Sequence, residues 1–99
     1  MTTTTASRPT ARVTVSSLAP GLYCARLELG SAFWDVEDDV CADDLVNAAL
    51  TMGGALHAEG FPLPVFYVLT PPTMGTAAGF ALAFRIVAAL KDGYRAAQA

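Results

Sequence analysis

The sequence predicts an α+β domain of two layers: a three-stranded antiparallel meander, then a helix, a fourth strand and a C-terminal helix, in the order β-β-β-α-β-α. Three observations carry this. Val13 and Val15 alternate with Arg12, Thr14 and Ser16, and alternation returns on both sides of Gly30-Ser31 after the turn signal Pro20-Gly21. From Leu45 the spacing becomes helical, and a five-residue apolar run, Val65 to Leu69, then stands between paired prolines.

The first ten residues contain four consecutive threonines and no apolar run, so residues 1–10 are expected to form a disordered arm without the hydrophobic region of a secretory signal. A cytoplasmic location is the corresponding expectation. Val13 and Val15 alternate with Arg12, Thr14 and Ser16 as in a half-buried strand, and Pro20-Gly21 supplies the φ values of a type II turn. Alternation resumes at Leu22, meets Gly30-Ser31, which suits a two-residue type II′ turn, and continues from Ala32 to Glu37.

That turn fixes a register. It sets Leu29 against Ala32, Leu27 against Trp34 and Ala25 against Val36 on an apolar face. The other face then pairs Glu28 with Phe33, Arg26 with Asp35 and Cys24 with Glu37. A slip of one residue would destroy both patterns together.

Asp38 to Asp44 reads as an acidic loop that enters a helix, where Leu45, Ala49, Met52 and Leu56 recur on one face. Asp43 and Asp44 favour the positive end of the helix dipole, and Gly60 is placed to end the helix in the left-handed conformation. Gly53-Gly54 in its middle costs about 1 kcal/mol per glycine relative to alanine. Either the helix is weak there or another backbone packs close to it. Val65 to Leu69 reads as a strand covered on both faces, and therefore as the central one, running parallel to the first and third strands through a right-handed crossover. Thr73 or Thr76 can cap the last helix, whose Phe80, Ala83, Phe84, Val87 and Tyr94 fall on neighbouring turns.

With 99 residues, 54% of them hydrophobic, the chain is expected to fold as one domain over residues 11–99. The most apolar stretch, Thr76 to Leu90, carries Arg85 and is shorter than the ~20 residues a membrane span needs, so no membrane association is expected. Cys24 and Cys41 lack C-x-x-C spacing and read as reduced, buried thiols.

Charge is unevenly distributed. Between residues 27 and 84 there is no Lys or Arg, and Asp35, Glu37, Asp38, Asp39, Asp43 and Asp44 place six of the nine acidic residues within ten positions. A one-signed surface attracts a basic partner and repels nucleic acid. The acids lack the D-x-D-x-D-G spacing of a calcium loop, so no metal site is assigned. The order β-β-β-α-β resembles the core of the PD-(D/E)xK nucleases, with Asp35-Val36-Glu37 at a comparable place. The lysine of that motif does not follow, since the chain's one lysine is Lys91. Cysteine–histidine catalysis would have to join His57 to Cys24 or Cys41, and no local signature links them.

These observations lead to the expectation of a non-enzymatic protein-binding module without a cofactor, a regulator or inhibitor whose partner has a basic surface. The expected partner surface is the acidic ridge Asp35, Glu37, Asp38, Asp39, Asp43 and Asp44. A small-residue stripe on the last helix, Gly75, Gly79 and Ala83, with Phe80 and Phe84 beside it, is the candidate contact for a homo-oligomer. Two alternatives remain open: a phage-type anti-defence inhibitor that mimics nucleic acid, and a divalent-metal enzyme built on the clustered carboxylates.

Overall fold

The computed structural model describes residues 9–69 and 76–99 and has the expected order: β1 (Thr10–Ala19), β2 (Leu22–Leu29), β3 (Ala32–Val40), α1 (Ala42–Ala58), β4 (Val65–Leu69) and α2 (Thr76–Gln98). The sheet runs β3-β2-β1-β4, with β1, β2 and β3 antiparallel and β4 parallel to β1. Both helices lie on one face, α1 against β2 and β3, α2 against β1 and β4. Among the described residues no helix is long and apolar enough to cross a membrane. Thr10 already belongs to β1, and the Pro9 carbonyl accepts the Val65 N–H at 2.9 Å, so the sheet begins slightly earlier than the expected arm allows.

The two hairpin turns follow from their glycines. Gly21 has φ +76° and Gly30 φ +64°, values at which a Cβ is strained. Around Gly30 the register sets Leu29 against Ala32, Glu28 against Phe33, Leu27 against Trp34 and Arg26 against Asp35, as read from the sequence. Beyond Arg26 it shifts. Ala25 faces Glu37 and Tyr23 faces Val40, so the expected pairs Ala25–Val36 and Cys24–Glu37 do not form. The register shifts by one residue at each of two places, as in a bulge, which bends a strand and increases its local twist. Val36 still reaches the core, and β3 runs through Asp38 and Asp39 to Val40, where a loop was expected.

The core is the apolar face that alternation specifies: Ala11, Val13 and Val15 from β1, Ala25, Leu27 and Leu29 from β2, beneath Leu45, Ala49 and Leu56 of α1. Alpha helix α2 adds Leu82, Ala83, Ile86, Leu90 and Tyr94. Helix α1 ends as expected. Gly60 has φ +86°, its N–H donates to the His57 carbonyl at 3.0 Å, and the Phe61 N–H donates to the Leu56 carbonyl at 3.1 Å. This is the Schellman pattern, which satisfies the last carbonyls of a helix. It also turns Phe61 back toward the sheet, where its ring meets Trp34 edge-on at 5.7 Å, and its carbonyl accepts the Tyr94 hydroxyl.

Of the pair Gly53-Gly54, Gly53 has a packing reason. A Cβ at Gly53 would overlap the Leu90 carbonyl oxygen and stand 3.0 Å from the Tyr94 nitrogen. Reciprocally, a Cβ at Gly93 would overlap the Leu50 carbonyl oxygen. Helices α1 and α2 therefore cross backbone to backbone through two glycines.

Two expectations are corrected. Beta strand β4 is an edge strand, not the central one: it pairs with β1 alone, and Val65 and Tyr67 are exposed, because both helices occupy the opposite face. On α2 the inward side is Gly79, Leu82, Ala83, Ile86, Leu90, Gly93 and Tyr94, whereas Phe80 and Phe84 point outward and stack with centroids 6.4 Å apart. Large and small residues share the inward side, and Gly93 is where the helix meets the α1 backbone. The two phenyl rings are displaced to the flank.

Candidate functional site: the open face of the sheet

Alternation that sends Val13, Val15, Leu27 and Trp34 toward the helices sends their neighbours the other way. That second face has no helix over it among the described residues. Pairing arranges it in rows. One row reads Phe33, Glu28, Arg12, Tyr67 from β3 to β4, and the next begins Asp35, Arg26, Thr14. Ser16 and Cys24 follow, with Oγ and Sγ 2.8 Å apart.

At the β3 end three side chains contact one another. Arg26 Nε donates to Asp35 Oδ1 at 3.0 Å, and its guanidinium carbon lies 4.5 Å from the centre of the Phe33 ring. One contact is an ion pair across the strands and the other a cation–π contact, so Arg26 orients both neighbours. Phe33 remains 57% exposed, too much for a core residue. Beside it lies a depression of about 400 Å³ lined by Thr14, Ser16, Cys24, Arg26, Glu28 and Asp35. A second of about 390 Å³, sharing Glu28, is lined by Thr10, Arg12, Gly30 and Tyr67. The face thus carries aromatic groups at both edges and alternating charge between them.

The structure divides the six acids of the expected ridge. Asp35 belongs to the open face and is paired with Arg26. Asp43 lies in the first turn of α1, on the helical side, and accepts from Arg85 Nη2 of α2 at 2.9 Å. Asp44 is exposed beside it, and Glu37, Asp38 and Asp39 lie along β3, their side chains outside the described part. Arg85 is the basic neighbour that the sequence pattern did not reveal, since it stands 42 residues from Asp43. Among the described residues no group of three or more His, Cys, Asp or Glu side chains is placed to hold a metal.

The remaining candidates are dispersed. Cys24 is half-buried on the open face and Cys41 is exposed at the start of α1, both as free thiols, so the expectation that both are buried does not hold. His57 sits in the last turn of the same helix, edge-on to the Tyr94 ring at 5.1 Å. At 1.5 Å per residue this places His57 roughly 24 Å along the helix from Cys41, too far for proton transfer. Of the expected oligomer stripe, Gly79 and Ala83 are buried, Phe80 and Phe84 are exposed, and Gly75 lies outside the described residues.

Phe33, Arg12 and Tyr67 are the site residues that sequence reasoning missed. The signal for two of them was present: the register already set Phe33 beside Glu28 on the polar face, and Arg12 alternates with the buried valines. Comparison of the chain with models of protein families, with curated proteins and with solved structures finds no match.

Proposed function

We propose that the chain is a non-enzymatic protein-binding module whose partner lies on the open face of the sheet, anchored at Phe33 and Arg26, with the acids of β3 at its rim. The observation that carries this reading is the Phe33–Arg26–Asp35 cluster on a sheet face that no helix covers among the described residues. Aromatic and arginine side chains held in place before binding lose little conformational entropy when a partner closes over them. Shallow relief over two adjoining depressions suits a protein surface better than a small molecule, which needs an enclosed pocket.

The acidic residues have a supporting role in this reading. Asp35 and Asp43 have arginine partners, and the sequence adds Glu37, Asp38, Asp39 and Asp44 to the same stretch of negative charge. It steers a basic partner toward the β3 side of the face and sets the salt dependence of association. The module is accordingly a small regulator or inhibitor that acts by occupying a partner's surface.

The test uses immobilised protein to capture the partner from an extract of the native host. Replacing Phe33 by Ser is expected to weaken capture by at least about thirty-fold, the equivalent of a hot-spot residue worth ~2 kcal/mol, and to leave thermal melting unchanged. Wild-type association slows as salt rises from about 50 to 500 mM, because screening shortens the Debye length. Equal capture by wild type and the Phe33→Ser variant would assign the partner surface elsewhere.

A further inference from the structure

The two edges of the sheet differ in a way that the open face does not explain. An unpaired edge strand invites pairing with another chain, and proteins commonly block it with charge. Edge β3 carries Asp35, Glu37, Asp38 and Asp39; edge β4, Val65-Phe66-Tyr67-Val68-Leu69, carries no charge. Among the described residues no strand lies beyond β4.

The backbone polarity of β4 is fixed by its first bond. The Val65 N–H donates to the Pro9 carbonyl, so Val65, Tyr67 and Leu69 direct their backbone groups to β1. By alternation Phe66 and Val68 direct theirs outward.

The flank of α2 above this edge is apolar too. Arg85 bonds to Asp43 of α1, and Arg85, Ala89 and Asp92 line the groove against Val46 and Leu50, so α1 lies on that side of α2. At 3.6 residues per turn, Phe80, Phe84 and Val87 fall on the opposite flank. Because α2 packs over β1 and β4, that flank faces outward over β4. Phe80 is 40% exposed and Phe84 64%.

We infer that a second copy of this chain docks here, β4 against β4 in antiparallel orientation about a two-fold axis at Tyr67. Phe66 of each copy then exchanges both backbone hydrogen bonds with Val68 of the other, and Tyr67 faces Tyr67 as a pair without hydrogen bonds. Val65 faces Leu69. Every opposed pair is apolar or aromatic, so the edge is complementary to itself across the two-fold. Centring the axis on Phe66 instead would set Val68 against Pro64, which has no N–H to donate.

The helical layer fits the same operation. Two strands at ~4.8 Å occupy the width of one helix at ~10 Å, so each α2 covers its own two strands and meets the other α2 above the junction. Phe80 and Phe84 are buried there. With roughly 200 Å² for each aromatic side chain, their exposed parts supply about 400 Å² over both copies, close to a quarter of a standard interface of ~1,600 Å². The β4 edges and Val87 supply further area. The result is a continuous eight-stranded sheet with one open face, an arrangement that goes beyond the partner reading and does not depend on it.

Sedimentation equilibrium of the full chain from about 1 to 100 μM is expected to give twice the 10.3 kDa chain mass. Phe84→Glu should return the monomer mass, weakening association by about a hundred-fold or more because a carboxylate would be buried unpaired. The position is exposed in the single chain, so the variant should fold. The register is read by oxidation in a Cys24→Ser, Cys41→Ser background. Tyr67→Cys, opposite itself on the axis, should form a disulfide-linked dimer, and Val65→Cys should not. A monomer at about 100 μM, a dimer undisturbed by Phe84→Glu, or a dimer that cross-links through Val65→Cys and not Tyr67→Cys would overturn the inference. A monomeric result leaves the Phe33 capture experiment intact.

Discussion

Substituting alanine at each of two adjacent glycines should change stability in opposite directions. In an ordinary exposed helix Gly→Ala is stabilising by about 1 kcal/mol, and both Gly53 and Gly54 lie inside α1. At Gly54 a new Cβ would meet only the Gly93 carbonyl oxygen at 3.7 Å, an ordinary contact. At Gly53 it would overlap the Leu90 carbonyl oxygen, with the carbonyl carbon at 2.9 Å. These are backbone atoms of a helix and cannot rotate aside as a side chain can. The helices must move apart by on the order of 1 Å, and overpacking of this kind costs about 3 kcal/mol at the upper end of its usual range. Subtracting the propensity gain leaves Gly53→Ala destabilised by ~2 kcal/mol, a fall in Tm of about 10 °C for a domain of this size. Gly54→Ala should rise by about 5 °C. Urea and thermal unfolding of the two variants beside wild type measure both signs, with protein concentration held equal so that any self-association contributes alike. If Gly53→Ala is as stable as Gly54→Ala, the helices do not cross at Gly53 and the close packing of the helical layer is refuted.

Two further substitutions test the same layer from its ends. Gly60→Ala places a Cβ at φ +86° in the helix cap and should cost about 1 kcal/mol by urea unfolding, and an unchanged midpoint would show that the cap is not left-handed. Tyr94→Phe removes the hydroxyl that donates to the Phe61 carbonyl and should cost roughly 1–2 kcal/mol, with faster exchange of the amides that follow α1. No loss on that change would mean that water replaces the hydroxyl without penalty.

The meander, the Gly30-Ser31 turn and the pairing of Arg26 with Asp35 were legible because each is local: alternation and turn chemistry act over a few residues. The bulge near Val36 was not legible, since inserting one residue leaves the composition of β3 unchanged and only the partner strand reveals it. The edge position of β4 was misread for a related reason. An uninterrupted apolar strand looks the same whether a neighbouring strand covers it or its exposed side is reserved for something else. Phe80 and Phe84 show the limit of periodicity on an almost wholly apolar helix, where more than one face could be the inward one. The site was half legible. On the polar face of the hairpin the pairs Glu28–Phe33 and Arg26–Asp35 were read correctly and Cys24–Glu37 was not, and the meaning of that face as an uncovered surface depends on both helices choosing the same side of the sheet. The long-range pairing of Asp43 with Arg85 lies beyond any local pattern.

The claim that a partner occupies the open face is tested most directly inside the native host. A photo-reactive benzoyl-phenylalanine replaces Phe33 on the open face in one strain and Leu50 on the helical side in another. Both side chains are exposed, at 57% and 46%, so neither substitution disturbs the core. Irradiation is expected to give a covalent adduct with a second protein from position 33 and none from position 50. An adduct from position 50 with none from position 33 would place the partner on the helices and contradict the account.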